Sequence, residues 1–255
     1  MRIRTAKDVE RLDNKIKEEL GIDVSKYRNE EVVENFVELL VFPRYVFFWV
    51  LRPILISIGI FIIGFFLFDL VHIEYVIYGI IGLVLFLTSG ILIGLLFFTW
   101  KMKKDIWGIV NYSLEIMKSS VQDLNQVNNQ VTKENKKDVL GLLFKGIMHI
   151  VTIPLISKAI SNSVPLIGGM INRIVKKILT LIADKFKFDE ENLKQELSKK
   201  DIEPNTIQVY SNTIVSASKQ LETIVNFTFG VAQFPLKLVF TFILLILILF
   251  LYLIN

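Results

Sequence analysis

Two long apolar runs that follow one another along the chain constrain its fold more than any other feature. The first begins near Phe47 and contains no ionisable residue from Ile54 to Phe68. The second extends from Tyr75 to Trp100, where lysines end it. Each run has about 20 residues or more, which is enough for a helix to cross a hydrocarbon core of about 30 Å. With only a short polar connection between them, the runs predict a transmembrane helical hairpin over residues 44–101.

A third apolar run, from Leu238 to Ile254, carries no charge and predicts a C-terminal transmembrane helix over residues 236–255. The chain as a whole is 53% hydrophobic, compared with about 45–50% in an ordinary soluble domain. Because the excess lies in a few runs, the composition excludes a disordered chain. The sequence contains no cysteine, which excludes a disulfide framework and a thiolate nucleophile.

The charges at the ends of the apolar runs predict which side of the membrane each segment faces. Lysine and arginine are enriched in the cytoplasmic segments that flank membrane helices. Here Arg44 and Arg52 precede the first predicted helix, and Lys101, Lys103 and Lys104 follow the second. The connection of the hairpin has neither residue type. We therefore expect residues 1–45 and 101–235 to be cytoplasmic, and the 69–74 loop and Asn255 to lie outside.

The polar middle of the chain contains two stretches with heptad spacing, each forming a narrow seam that can pack against a partner helix. The first seam is Trp107, Val110, Leu114, Met117, Val121, Leu124, Asn128 and Val131. The second seam is Ile207, Tyr210, Ile214, Ala217, Leu221, Ile224, Thr228 and Val231. One seam continues from the hairpin and the other leads into the C-terminal helix. We therefore expect antiparallel pairing within one chain, and a parallel coiled coil between subunits is the alternative.

An apolar block between the seams, residues 139–183, predicts two further helices. The first, Val139 to Ile160, is polar only along a thin stripe, and Pro154 should bend it near Ile150. We expect this helix to be buried and do not count it as a fourth span, although a re-entrant segment is an alternative. The second helix, Leu166 to Ala183, has a wide aliphatic arc that includes Ile174.

The polar arc of this second helix carries three cations, which are the candidate membrane-surface residues: Arg173, Lys176 and Lys177. A helix with a basic face and a wide aliphatic face either lies in a membrane interface or covers the core of a helical bundle. We expect a packed cytoplasmic head, with lipid contact as the alternative.

The first 43 residues predict two cytoplasmic helices that help to cover this head. Apolar residues recur at helical spacing from Ala6 to Leu20, and Gly21 should end the first helix. The second helix is expected from Asn29 to Val41, and a short charged helix from Asp189 to Lys200.

Small residues on the second apolar run predict a close contact between helices. Gly90 and Gly94 form a GxxxG pair, and Gly82 lies on the same row. Small residues at this spacing let helix backbones approach closely in lipid. We expect these glycines to pack against the first helix of the hairpin, and the alternative is a contact between subunits.

Residues with catalytic or metal-binding potential are few. Asp69, His72 and Glu74 include usable metal ligands, but a short loop also needs polar residues. Lys145 and His149 lie four residues apart on one helix face, and we interpret both as part of a solvated stripe. No phosphate-binding loop, zinc-protease motif or nucleophile elbow occurs. We therefore expect no enzymatic activity, no cofactor, no metal and no small-molecule substrate.

Together these features predict an all-α integral membrane protein with a transmembrane hairpin, a cytoplasmic helical stalk and head, and a C-terminal transmembrane helix. Its regions would be residues 1–43, 44–101, 102–235 and 236–255. The expected function is a membrane-anchored scaffold that presents its head to a partner or a membrane surface. Membrane lipid and a second copy of the chain are the expected partners, whereas the modest net charge of +4 does not point to nucleic acid. A subunit of an oligomeric channel is the alternative.

Overall fold

The computed structural model describes residue 3 and residues 5–28, 46–126, 139–163, 168–188 and 206–254. Every regular element in these ranges is helical, which confirms the expected all-α class for this part of the chain. The α-helices are α1 (Ala6–Leu20), α2 (Arg52–Leu67), α3 (His72–Ile77), α4 (Leu83–Gln126), α5 (Val139–Gly146), α6 (Ile153–Ser163), α7 (Gly168–Lys185) and α8 (Thr206–Ile254). The predicted helices 29–41 and 189–200 and the seam positions 128 and 131 lie outside the described residues.

The described residues form two compact units. Unit 1 takes those within Met1–Leu40 and Asp105–Val225, and unit 2 takes those within Val41–Lys104 and Asn226–Asn255. The long helices α4 and α8 contribute residues to both units.

Four helices in the described part of the chain are long and apolar enough to cross a membrane, which fits a multi-pass membrane protein by length and composition: Phe48–Leu67, His72–Asp123, Val139–Ser161 and Gln208–Ile254. The sequence predicts three of these spans and a buried helix in place of Val139–Ser161. The most apolar window of Val139–Ser161 is 78% buried inside the protein, against 17%, 33% and 0% for the other three in chain order. Protein therefore already covers most of its apolar surface.

Unit 2 contains the hairpin and the end of α8. A π-helical stretch, Val46–Leu51, leads into α2, and a second, Tyr78–Gly82, joins α3 to α4. Between α2 and α3 the chain is extended, and the Glu74 carboxylate accepts a hydrogen bond of 2.7 Å from the backbone N–H of Val71, which caps α3. The short connection predicted between two membrane helices is therefore present.

Unit 1 begins with α1, whose two ends follow from its sequence. The Thr5 hydroxyl accepts from the Asp8 backbone N–H, and the Asp8 carboxylate accepts from the Thr5 N–H in return, which is a capping box. Gly21 ends the helix with φ 66°, in the left-handed region where glycine has no steric penalty. The predicted end at Gly21 is confirmed.

The core of unit 1 is built around α5, α6 and the π-helical stretch Ile147–Thr152 that joins them. This stretch lies directly before Pro154, which has no N–H to donate to the carbonyl of Ile150, so the irregularity falls where the sequence predicted a bend. α7 packs against α6, and α1 packs against α5. An aromatic cluster joins α5 to the residues at the end of α7. It consists of Phe144, Phe186 and Phe188, whose ring centroids are 4.9–6.0 Å apart.

Candidate functional site

Gly90 and Gly94 bring the backbone of α4 against the first half of the hairpin. A Cβ added at Gly90 would lie 2.9 Å from the Cα of Ile54 and 2.9 Å from the Cβ of Ser57. A Cβ added at Gly94 would lie 2.8 Å from the carbonyl oxygen of Val50. Because the neighbouring atoms are mostly backbone, they have little room to move away. Within unit 2, the space next to these two glycines is occupied by the same chain.

Gly82 contacts side chains instead of backbone. A Cβ at this position would meet the Phe61 ring at 3.2 Å and the Phe250 ring at 3.5 Å. Gly82 therefore lies beside the aromatic core of unit 2, where α2, α4 and α8 supply rings.

Tyr78 is the centre of this aromatic core, a role that the sequence alone does not indicate. Its side chain is fully buried and stacks between Phe61 and Phe250, with centroids 5.2 Å and 6.2 Å away. Its hydroxyl donates a hydrogen bond of 2.9 Å to the carbonyl of Phe61, and Gly64 leaves the space that this hydroxyl occupies. A lone tyrosine in an apolar run gives little signal, because its role depends on which residues face it across the hairpin.

Two further polar side chains join the helices of unit 2. Ser57 on α2 donates to the carbonyl of Phe86 on α4 at 2.6 Å. Gln233 on α8 donates to the hydroxyl of Thr99 on α4 at 3.2 Å. Such bonds satisfy polar groups that would otherwise be costly in a lipid environment.

The outside of unit 2 is apolar, and that of unit 1 is not. Large hydrophobic side chains that are exposed in the described residues lie almost entirely within 48–100 and 227–253. In unit 1 they are limited to Ile174, at 40% exposure, and Val215, at 50%. Contiguous apolar surface of this kind is rare on proteins that face water on all sides.

The three candidate membrane-surface residues are all exposed on α7. Arg173, Lys176 and Lys177 have the i, i+3, i+4 spacing that places side chains on one helix face. The opposite face is buried and consists of Ile171, Val175, Leu179, Ile182 and Ala183. α7 thus covers the core of unit 1 and at the same time presents a basic face. Ile174, which the sequence placed on the aliphatic arc, lies at the boundary and is exposed.

His149 is buried, so the interpretation of a solvated stripe is wrong for this residue. Its side chain is 6% exposed, and its Nε2 lies 3.7 Å from the Asp184 carboxylate of α7. Neither the Nε2 of His149 nor the Oδ1 of Asp184 has a hydrogen-bond partner among the described residues. Nearby, the Ser113 and Thr152 hydroxyls are hydrogen-bonded at 2.9 Å, joining α4 to the same π-helical stretch. Sequence spacing paired His149 with Lys145, because the neighbour from α7 is remote in sequence.

The segment after α1 is fixed to α4 by a small polar cluster in unit 1. Lys26 Nζ lies 2.6 Å from the Asp123 carboxylate, which also accepts from the Tyr27 hydroxyl. These two hydrogen bonds lower the pKa of Asp123, and the carboxylate raises the pKa of Lys26. Burial, and then the hydrogen bond to Asp123, raise the pKa of Tyr27. The lysine and aspartate are 49% and 36% exposed, so solvent screens their attraction.

No group of three or more potential metal ligands occurs in the part of the chain that the structure describes. In the hairpin connection, Glu74 acts as a helix cap. The candidate sites of the described residues are two contact surfaces: an exposed apolar surface on unit 2 and a basic helix face on unit 1.

No family model, no curated protein and no solved structure matches this chain.

Proposed function

We propose that this protein is a non-enzymatic, membrane-anchored helical scaffold. Unit 2 would lie in the bilayer, and unit 1 would be a folded cytoplasmic head that presents α7 to a partner or a membrane surface. The observation that carries the proposal is the division of exposed apolar surface, which is extensive on unit 2 and limited to Ile174 and Val215 in the described part of unit 1. An apolar exterior suits lipid, and a polar exterior suits water.

The buried state of Val139–Ser161 supports three membrane helices instead of four. Its apolar surface is already covered by protein from α1, α7 and α4. Placing it in lipid would require those contacts to be given up without a compensating gain in apolar burial.

The contacts of the glycine row favour a scaffold over the alternative of a channel subunit. A pore built from several copies needs helix surfaces that pack between subunits, and small residues are the usual means of close packing in lipid. The space beside Gly90 and Gly94 is instead filled by α2 and by the π-helical stretch before it. These glycines are therefore not free to form the contact between subunits that an oligomeric channel would need.

The mass of the full chain in detergent tests the proposal. We expect the protein to stay in the membrane fraction after alkaline extraction and to behave as a single chain in light scattering after purification. A defined oligomer that also releases ions from proteoliposomes would overturn the scaffold and support the channel.

A further inference from the structure

We propose that the face of α7 formed by Arg173, Ile174, Lys176 and Lys177 binds the anionic headgroups of a phospholipid bilayer. This inference rests on the proposed function, because it requires a protein that is held at a membrane. It names the surface to which the head is presented.

The first argument is the exposure of the cations. All three side chains lie on the outer face of α7, and none of them makes an ion pair with another described residue. The one acidic residue of α7, Asp184, has its carboxylate 3.7 Å from the Nε2 of buried His149. Among the described residues, the cations of this face therefore have no ion-pair partner on their own helix.

The second argument is the position of Ile174 beside these cations. A large aliphatic side chain that is 40% exposed next to three basic residues is the pattern of helices that lie in a membrane interface. The cations would meet lipid phosphates, and the isoleucine would enter the boundary between headgroups and acyl chains. A partner recognised by charge alone would gain nothing from the exposed isoleucine.

The third argument is charge complementarity with the surface that the chain already meets. The cytoplasmic leaflet of a membrane is negatively charged, and this potential attracts basic segments within a Debye length. Because unit 2 would anchor the chain, a weak contact of α7 with lipid is strengthened by its high effective concentration. Three cations and one aliphatic side chain are then sufficient for α7 to bind the bilayer surface.

A single cysteine at position 174 tests the proposal directly, since the native chain has no cysteine. The full-length Ile174→Cys protein is labelled with a polarity-sensitive fluorophore and placed in nanodiscs of phosphatidylcholine, or of phosphatidylcholine with about a third phosphatidylserine. We expect a blue shift and protection from iodide quenching only with phosphatidylserine. The protection should be lost in 1 M salt, where the Debye length is about 3 Å.

Two controls separate this contact from other effects. Val215→Cys carries the label at the other exposed apolar position of unit 1 and should show no dependence on lipid charge. Combining Ile174→Cys with Arg173→Gln, Lys176→Gln and Lys177→Gln should abolish the response. An identical signal in both kinds of nanodisc, or an equal response at position 215, would overturn the proposal. Co-elution of the protein with the nanodisc reports anchoring separately, so the two proposals fail independently.

Discussion

At the scale of single residues, close packing in unit 2 depends on glycines, which have no side chain to keep two helix backbones apart. Gly94 lies against the backbone of Val50, and an added Cβ would be 2.8 Å from its carbonyl oxygen. Backbone atoms held in a helix cannot rotate away as a flexible side chain can. The hairpin must therefore separate to accept even one methyl group.

We predict that Gly94→Ala lowers the free energy of unfolding by about 1–3 kcal/mol, the usual cost of overpacking. Gly59→Ala is the matched control, because a Cβ at Gly59 meets nothing within 4 Å. It should be neutral or stabilising by up to about 1 kcal/mol, since alanine favours the helix over glycine. Unfolding by detergent titration in bicelles measures both, and equal stabilities of the two variants would contradict the observed contact.

The Tyr78 hydroxyl gives a second prediction at this scale. Tyr78→Phe keeps the stacked ring but removes the hydrogen bond to the Phe61 carbonyl. Hydrogen bonds between membrane helices contribute about 0.6 kcal/mol on average, so we expect a loss of that order. Tyr78→Ala also empties the aromatic core and should cost about 3–5 kcal/mol, as large-to-small aromatic changes do. If the same unfolding measurement finds the two variants equally stable, Tyr78 does not organise this core.

At the scale of helices, the heptad seams are the best test of what spacing can predict. The described seam positions Leu114, Met117 and Val121 on α4 are buried, and so are Ile214 and Leu221 on α8. Val231, the last position of the second seam, is 58% exposed. Burial agrees with a packed seam, while the antiparallel pairing of the two seams stays a prediction. Within unit 2, the hydrogen bond from Gln233 to Thr99 is a contact between α8 and α4.

Truncation on α8 should separate the seam from the outer face of the same helix. Leu221 is fully buried, whereas Val215 is 50% exposed. We predict that Leu221→Ala lowers the free energy of unfolding by about 2–5 kcal/mol and that Val215→Ala changes it by about 0.5 kcal/mol or less. Thermal unfolding of the full chain followed by circular dichroism measures the difference. A similar effect of both substitutions would show that the seam carries no special packing.

Cross-linking tests the pairing itself. The predicted antiparallel pairing would bring Leu114 of the first seam near Ala217 of the second. Cysteines at these two positions should form an oxidised cross-link within one chain, found as a linked peptide by mass spectrometry. Cysteines at the exposed positions Lys118 and Val215 serve as the control and should not react with each other. A cross-linked dimer from the first pair would instead support a coiled coil between subunits.

The sequence predicted those elements whose cause is local. The hairpin follows from uncharged length and the end of α1 from Gly21, whereas the pairing of the heptad seams stays a prediction. It did not predict the burial of His149 or the central role of Tyr78, because both depend on partners remote in sequence, Asp184 and Phe250. The three cations of α7 were found from periodicity, but their relation to exposed Ile174 required the packing of α7 on α6.

At the scale of the whole molecule, the apolar exterior and the distribution of basic residues make different predictions. The exterior of unit 2 predicts which residues meet lipid, but it says nothing about orientation. Orientation depends on Lys and Arg, which flank the hairpin on one side at Arg52, Lys101, Lys103 and Lys104 and are missing from its connection. The preference for keeping such residues in the cytoplasm therefore predicts that both ends of the hairpin lie on that side.

Cysteine labelling of intact cells tests this orientation, and the chain's lack of native cysteine makes each site unambiguous. Lys118 and His72 are both exposed, so a cysteine at either position is accessible to reagent when it faces the correct compartment. We predict that a membrane-impermeant maleimide labels His72→Cys in intact cells but labels Lys118→Cys only after permeabilisation. Asn255→Cys should behave like His72→Cys, because one further predicted membrane helix, Leu238 to Ile254, separates it from the residues that we expect to be cytoplasmic. Labelling of Lys118→Cys in intact cells would show that the orientation is the reverse.

The same two labels also test the number of spans. Labelling of Lys118→Cys and Asn255→Cys in the same compartment would mean that an even number of spans separates them. The buried helix Val139–Ser161 would then have to be reconsidered as the additional span.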